Sequence, residues 1–345
     1  MSIVVNMTRP TIMDVARKCG VSKTTVSVIL NDSPASSRVP KETQDRVRAM
    51  AEGLGYRPNW RARALASRKT HTIGVLYYPP MPLVVRGNYE GIMAGINEVL
   101  SARGYHMLYV PLGDKTEEWQ RILLDQRMDG CLVLSRLRQP LADILKRGGL
   151  RATLVNADSD EPLPTVIADD FHGSEQCTQH LISLGHKRIT FFAGKQPPHY
   201  SLTQREEGYA AAMKAAGLEK QICIVSEGDA DQFVHEFVAT NAQRCTAVLV
   251  YTHYLAIKLL QKSWEAGISV PHDLSVVTFS NAYPVEDVIP PLTTVALPTE
   301  EMGRTAAELV LEQIESNGAA KPRRIVLKET LIVRKSTAAP SEERR

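Results

Sequence analysis

Lys23, Thr24 and Ser27 lie on one face of a short stretch, residues 22–30, whose opposite face carries Val26, Ile29 and Leu30. An ammonium and two hydroxyls near the first turn of a helix can exchange hydrogen bonds with base edges in a DNA groove. Just upstream, Ile12, Val15, Ala16 and Cys19 stand at i, i+3, i+4 and i+7, the apolar stripe of another short helix. Thr11 can cap that helix, Gly20 can end it in a sharp turn, and Ser22 can cap the next. Two such helices read as a helix-turn-helix, which sets the second in the major groove. A helical hairpin in an enzyme would show the same stripes, so the pattern alone leaves both readings open.

Other candidate chemistry is thin. Ala193-Gly194-Lys195-Gln196 follows an apolar run like a phosphate loop, but position 189 is Ile and no Ser or Thr follows the lysine. There is no H-E-x-x-H, no G-x-S-x-G and no G-x-G-x-x-G opening a helix. The carboxylate pairs Asp169-Asp170 and Asp158/Asp160 read as solvated loop residues rather than an acid–base couple. The five cysteines (19, 131, 177, 223 and 245) form no C-x-x-C or zinc-ligand spacing and several sit in apolar runs. They read as reduced core thiols of a cytoplasmic protein. The sequence therefore argues against an enzyme, and no metal or cofactor is expected. No signal peptide is visible and no apolar run approaches membrane-spanning length.

A third helix fits residues 41–54, with Val47, Met50, Ala51 and Leu54 at helical spacing and Gly53 and Gly55 at its end. Three helices are the least that can bury such small apolar faces. Residues 60–69 hold good helix formers with almost nothing to bury, so this linker is expected to be helical only when supported. The first ten residues are expected to be disordered, and Met7 is an alternative start. Charge is unevenly spread: residues 1–70 hold 13 Lys and Arg against 5 Asp and Glu, whereas the rest holds 28 against 33. A basic head on an acidic body suits a phosphate-binding module joined to one that binds none.

Residues 11–70 resemble the headpiece of the lactose-repressor (LacI/GalR) family of bacterial transcription regulators. The resemblance rests on Thr11-Ile12, Asp14-Val15-Ala16, Gly20-Val21-Ser22, Thr25-Val26-Ser27, Leu30-Asn31, Thr43, Val47, Leu54-Gly55-Tyr56, Pro58-Asn59, Ala62 and Leu65-Ala66. It implies base contacts from Lys23, Thr24, Ser27 and Val28, and backbone contacts from Thr11, Ser22, Thr25 and Asn31. It also implies a hinge helix over 59–67 that folds on DNA, with Asn59, Ala62 and Leu65 at the minor groove. An apolar wedge on a basic, otherwise unburied helix is physically suited to unstacking a base step. Packing of Leu65 on the neighbouring domain is the alternative. Two positions depart from the family. Val28 replaces an arginine that often reads guanine, leaving only apolar contact, for instance to a thymine methyl. Pro40 stands where a capping serine is usual, so Val39 is the expected cap.

From residue 72 the pattern alternates short apolar runs with helical segments. Strands are expected at 73–77, 106–110, 130–134, 152–156, 165–168, 188–193, 222–225, 247–251, 274–279 and 294–296. Helices are expected at 88–103, 117–127, 141–147, 172–184, 205–216, 231–241, 254–265 and 300–316. This alternation argues for parallel sheets with helices on both faces, and for ligands beyond the strands' carboxyl ends. Leu255, Leu259 and Leu260 read as core. The stretch 71–338 is similar to the family's two-lobed effector domain, akin to periplasmic sugar-binding proteins. Its matching segments include Gly185-His186-Lys187-Arg188-Ile189, Arg205-Glu206-Glu207-Gly208-Tyr209, Asp273-Leu274-Ser275-Val276-Val277 and Pro291-Leu292-Thr293-Thr294-Val295.

The implied fold class is an all-α three-helix headpiece with a helix-turn-helix plus an α/β two-lobed, periplasmic-binding-protein-like (type I) domain. The expected divisions are 1–10 disordered, 11–58 headpiece, 59–70 hinge helix and linker, 71–338 effector and dimerisation domain, and 339–345 tail. The resemblance implies three crossings between lobes, near 168, 297 and 326. It places an effector against Arg205, Asn156, Thr252, Ser280 and Tyr78. The cleft departs from the family: Tyr251, Thr252 and His253 replace Ala-Asn-Asp, and Phe279, Ser280 and Asn281 replace Phe-Asp-Asp. Fewer acidic acceptors for sugar hydroxyls, with Arg205 kept and Lys195 and His199 nearby in sequence, favour an anionic ligand such as a phosphorylated sugar or organic acid over a neutral sugar. The expected protein is a homodimeric repressor on a near-palindromic operator duplex. The alternatives are a solute-binding protein without DNA function and a regulator whose cleft has degenerated. After Thr330 no leucine heptad follows that would support a tetramer.

Overall fold

The computed structural model describes residues 10–31, 34–57, 69–78, 87–113, 116–134, 136–196, 199–239 and 245–341. The hinge candidates Asn59, Ala62 and Leu65, the alternative start Met7 and the first nine residues lie outside them. The chain forms two compact units, residues 1–71 and 72–345.

In the first unit α1 (Ile12–Cys19), α2 (Lys23–Leu30) and α3 (Lys41–Gly53) close on one core of Val15, Val26, Ile29, Val47 and Ala51. Every side chain in that list stands at the spacing that put it on an inward stripe. Gly20 ends α1 with φ 65°, a left-handed turn that an L side chain would strain. Ser22 caps α2 as its sequence suggests, its Oγ accepting from the Thr25 N–H at 3.0 Å. Val39 does not cap α3. The cap position is Pro40, which has no side-chain hydrogen bond there; instead Gln44 Nε2 donates to the Val39 and Ser36 carbonyls, both at 2.9 Å.

The second unit contains two six-stranded sheets. Lobe 1 holds β1 (Thr72–Tyr77), α4 (Asn88–Ala102), β2 (His106–Pro111), α5 (Thr116–Leu124), β3 (Gly130–Val133), α6 (Gln139–Gly148), β4 (Arg151–Val155) and β5 (Thr165–Ala168). Lobe 2 holds α7 (Asp170–Ser183), β6 (Ile189–Phe192), α8 (Tyr200–Ala215), β7 (Cys223–Val225), α9 (Ala230–Ala239), β8 (Ala247–Val250), α10 (His253–Glu265), β9 (Ser275–Phe279) and β10 (Thr293–Ala296). The chain then returns to lobe 1 as α11 (Thr299–Glu315) and β11 (Arg324–Leu327), and crosses back as β12 (Thr330–Ile332). Strand order is β11-β5-β4-β3-β1-β2 in one sheet and β12-β10-β9-β8-β6-β7 in the other. All pairings are parallel except β10 with β12. The two lobes are thus built alike, strand for strand, and the chain passes between them at Asp169, Leu297 to Pro298, and Lys328 to Glu329.

Near-continuous apolar runs such as Ala247–Val250 and Ser275–Phe279 are buried throughout because helices cover both sheet faces. Leu259 and Leu260 are core, as read, with Leu255 packed beside them. On α11, Gly303 meets the Ile92 carbonyl of α4 so closely that a Cβ there would collide with backbone. The chain after β12 is docked on lobe 2: Ser336 Oγ donates to the Val276 carbonyl at 2.6 Å, the Ala338 N–H donates to Ser275 Oγ at 3.1 Å, and Pro340 is buried.

Candidate functional site

On the first unit, Lys23 and Thr24 are exposed at the start of α2, and Ser27 and Val28 are half-buried on the same face. Ser27 Oγ accepts from Asn31 Nδ2 at 3.2 Å, and the Ser22 and Thr25 hydroxyls lie 2.8 Å apart. Thr11 stands at the N-cap of α1 and forms a capping box with Asp14, its N–H (2.9 Å) and its Oγ1 (2.7 Å) both donating to the Asp14 carboxylate. Those two bonds, with Arg17 and Lys18 nearby, hold the Asp14 carboxyl below the usual range. The result is a short exposed helix whose N-terminal side chains are fixed by their own neighbours, with an ammonium foremost.

On the second unit, the cleft is built from the carboxyl ends of equivalent strands. Asn156 follows β4 with φ 51°, and Ser280 follows β9 with φ 79°. Both strands are third from the same edge of their sheets. Left-handed backbone on residues other than glycine is held only where surrounding bonds enforce it, and such positions gather at functional sites. Here each makes a bridge to the other lobe. The Asn156 carbonyl accepts from His199 Nε2 at 3.0 Å and its Oδ1 from the Tyr200 hydroxyl at 3.0 Å. The Ser280 hydroxyl donates to Asn88 Oδ1. Asn88 and Tyr200 are the first residues of α4 and α8, the helices that follow the first strand of each lobe. The bridges are therefore reciprocal.

His199 caps α8, its Nδ1 accepting from the Ser201 N–H at 3.3 Å, which leaves the proton on Nε2 for Asn156. Burial pulls its pKa down, so the ring is neutral at pH 7. Burial does the same to His253, whose pKa falls to about 4. Behind the bridges, Arg205 is 5% exposed and Asp170 1%. Arg205 Nε and Nη2 both reach Asp170 Oδ1, at 2.7 and 2.6 Å, and Nη1 donates to the Tyr251 carbonyl at 2.8 Å. The guanidinium also lies 4.0 Å above the Phe279 ring. Tyr251 closes the set through its hydroxyl, 2.9 Å from Ser201 Oγ. At the mouth, a cavity of about 370 Å³ is lined by Arg136, His199 and Tyr200 together with Asp158, Asp160 and Glu161.

Residues 11–59 match the description "Bacterial regulatory proteins, lacI family", and residues 178–337 match "Periplasmic binding protein-like domain". The chain is 33% identical to the HTH-type transcriptional regulator CelR of Thermobifida fusca over 343 residues, covering 95% of this chain and 98% of that one. This chain belongs to the lacI family of regulators. It is likewise 30% identical to the HTH-type transcriptional repressor PurR of Photobacterium profundum over 337 residues, covering 94% and 98%. Among solved structures, a complex of the regulator CelR with cellobiose matches with TM-score 0.68 at 30% identity, covering 95% of this chain and all of that one. The lac repressor dimer bound to operator shares the fold, with TM-score 0.79 at 24% identity and coverage of 96% and 100%. The protein is a DNA-binding transcription regulator, and its relatives are regulators rather than enzymes.

Within this lacI-family chain, the cleft residues named from sequence fall out unequally. Arg205 and Asn156 are linked through Tyr251, Ser201 and His199, whereas Ser280 bonds separately to Asn88 and Thr294. Thr252 Oγ1 is taken up in capping α10, accepting from the Leu255 N–H at 3.3 Å. Tyr78 stands beyond β1 with Arg138 4.0 Å over its ring. The anionic ligand loses its basis, because the arginine meant to attract it is sealed against Asp170. Lys195 lines a different pocket, beside Phe192, Gly228 and Gln232, and His199 is neutral. The Asp169-Asp170 pair is not solvated as read: Asp170 is the partner of Arg205, 35 residues away. Asn88, Tyr200 and Asp170 were missed. Helix α8 was expected to begin at Arg205, which hid its real first turn; it begins at Tyr200 because a histidine serves as its cap. All five cysteines are free and four are buried. Among the described residues no helix is long and apolar enough to cross a membrane.

Proposed function

We propose that this regulator is an effector-controlled repressor that binds a near-palindromic operator as a homodimer, and that its effector is a neutral, polar small molecule of the sugar class. The reciprocal bridges at Asn156 and Ser280 carry this reading. They tie lobe to lobe with groups that can equally bond hydroxyls, around a buried cation already neutralised and beneath an acidic mouth. Nothing in that arrangement favours a phosphate or carboxylate. One relative of known structure, 30% identical, holds cellobiose. Ligand hydroxyls would compete for Asn156, Tyr200, Ser280 and Asn88, changing how the lobes sit. That shift would be passed to the headpieces and change how firmly they hold DNA.

Calorimetric titration with neutral mono- and disaccharides, their phosphates and small organic acids tests the reading. A neutral sugar should bind and its phosphate should bind more weakly. Binding of anions alone would overturn the neutral class, and no binding by any would favour the degenerate cleft.

The dimer has its own support. Tyr283, Ile289 and Val333 of lobe 2 are exposed apolar side chains, Ile289 at 94%, and Arg334 draws the segment after β12 onto Asn281 at 2.6 Å. Contiguous exposed apolar side chains mark association surfaces, and this stretch of lobe 2 is the candidate for one. Ile289→Glu should shift the sedimentation equilibrium toward monomer and weaken operator binding; an unchanged dimer would place the interface elsewhere.

A further inference from the structure

Glu329 lies in the last crossing between lobes, between the end of β11 and the start of β12, and is 5% exposed. Neither of its carboxyl oxygens has a hydrogen-bond partner among the described residues, and Asp170 Oδ2 has none either. The carboxyl presses onto the first turn of α7, where it occupies the space that a Cβ on Gly173 would take. That turn follows the first crossing, so one side chain pins two of the three connections between the lobes.

The groups around it are few. From α7 come Asp169, itself paired with exposed His172 at 2.8 Å, then Asp170 and the buried thiol of Cys177. From α8 come Arg205 and, beside Asp170, the Tyr200 phenol. Arg205, the only buried Lys or Arg among the described residues, spends both of its Asp170-facing nitrogens on Asp170 Oδ1. An ionised Glu329 would be a second buried anion with no donor to meet it, which is far costlier than a neutral carboxylic acid in the same place. Burial first, then repulsion from Asp170, push its pKa well above the ordinary glutamate range, with Arg205 opposing.

We infer that Glu329 is a proton-binding site: it is carried as the neutral acid, and its proton keeps the third crossing seated on α7. In the unfolded chain this group loses its proton in the ordinary glutamate range, whereas the seated group keeps it to higher pH. The proton's contribution is thus full below the ordinary range and is lost as pH rises through the raised value. Ionisation would then drive Glu329 away from Asp170 and loosen the connection on which the lobe arrangement depends.

The test uses the full chain. Melting temperature measured from about pH 5 to about pH 9 should fall with pH in the native protein by roughly 3 °C more per unit crossed than in Glu329→Gln, which cannot ionise. Parallel profiles for the two proteins would overturn the proposal. Infrared difference spectra of the native protein supply an independent reading. A protonated-carboxyl stretch at neutral pH, missing in Glu329→Gln, is expected, and its absence from the native protein would equally overturn it. A merely structural role for Glu329 would lower the melting temperature of the glutamine variant without changing the slope of its pH profile.

Discussion

Arg205→Leu should lower the stability of the second unit by about 3–5 kcal/mol, read from the shift in urea midpoint or as a drop of several degrees in melting temperature. The arginine is the counter-charge of a carboxylate that is 1% exposed, so removing it strands Asp170 beside Glu329 in a buried site. The size of the effect comes mainly from that stranded charge rather than from lost attraction. Replacing both partners should therefore cost much less than replacing one, and Arg205→Leu with Asp170→Leu should recover a large part of the loss. Arg205→Lys should fall between. It keeps the charge but cannot fork to reach Asp170 and the Tyr251 carbonyl together, nor lie flat on Phe279. Equal losses for Arg205→Leu and the double variant would show that packing, not charge, holds this corner.

Val28→Arg should change which DNA sequence is preferred while leaving the fold intact. Val28 is half-buried on the face of α2 that carries Lys23 and Thr24, outside the core built by Val26 and Ile29. A longer polar side chain can leave that face without displacing packed atoms. A valine contacts only apolar groups on a base pair, whereas arginine can hold the O6 and N7 of guanine together, a pairing worth about 1–3 kcal/mol in discrimination. Selection from a random duplex library should therefore return guanine at one position of each half-site for the variant and not for the native protein. Changes of roughly 5- to 150-fold in relative affinity are the expected scale. An identical selected sequence would remove Val28 from the base-reading face.

What was legible in the sequence follows from how local each cause is. Helices α1 to α3 were readable because their stripes, the Ser22 cap and Gly20 are settled within a few residues of one another, whereas the cap of α3 was misplaced by one residue. The alternating runs of the two lobes were readable because both faces of each sheet are buried, which leaves uninterrupted Val, Ile and Leu. Strands β11 and β12 were not named, since each is three or four residues long, at a sheet edge, and half-exposed. Their identity comes from pairing with β5 and β10, far away in sequence. The cleft was half readable. Arg205, Asn156 and Ser280 could be placed from the resemblance, but nothing in the residue types said that Asp170 would consume the arginine's charge. Likewise Glu329 carries no local signal, and its meaning exists only once the third crossing lies across the first turn of α7.

In the proposed mechanism a small basic head selects particular DNA and the body governs its hold. Competition binding of the intact protein measures this most directly: a duplex recovered by selection against random duplex of equal length, across a range of salt, with and without the sugar found by calorimetry. The expected result is affinity for the selected duplex at least about a thousandfold above random, falling steeply with salt and shifted by the sugar. Equal affinity for the two duplexes, whatever is added, would contradict it.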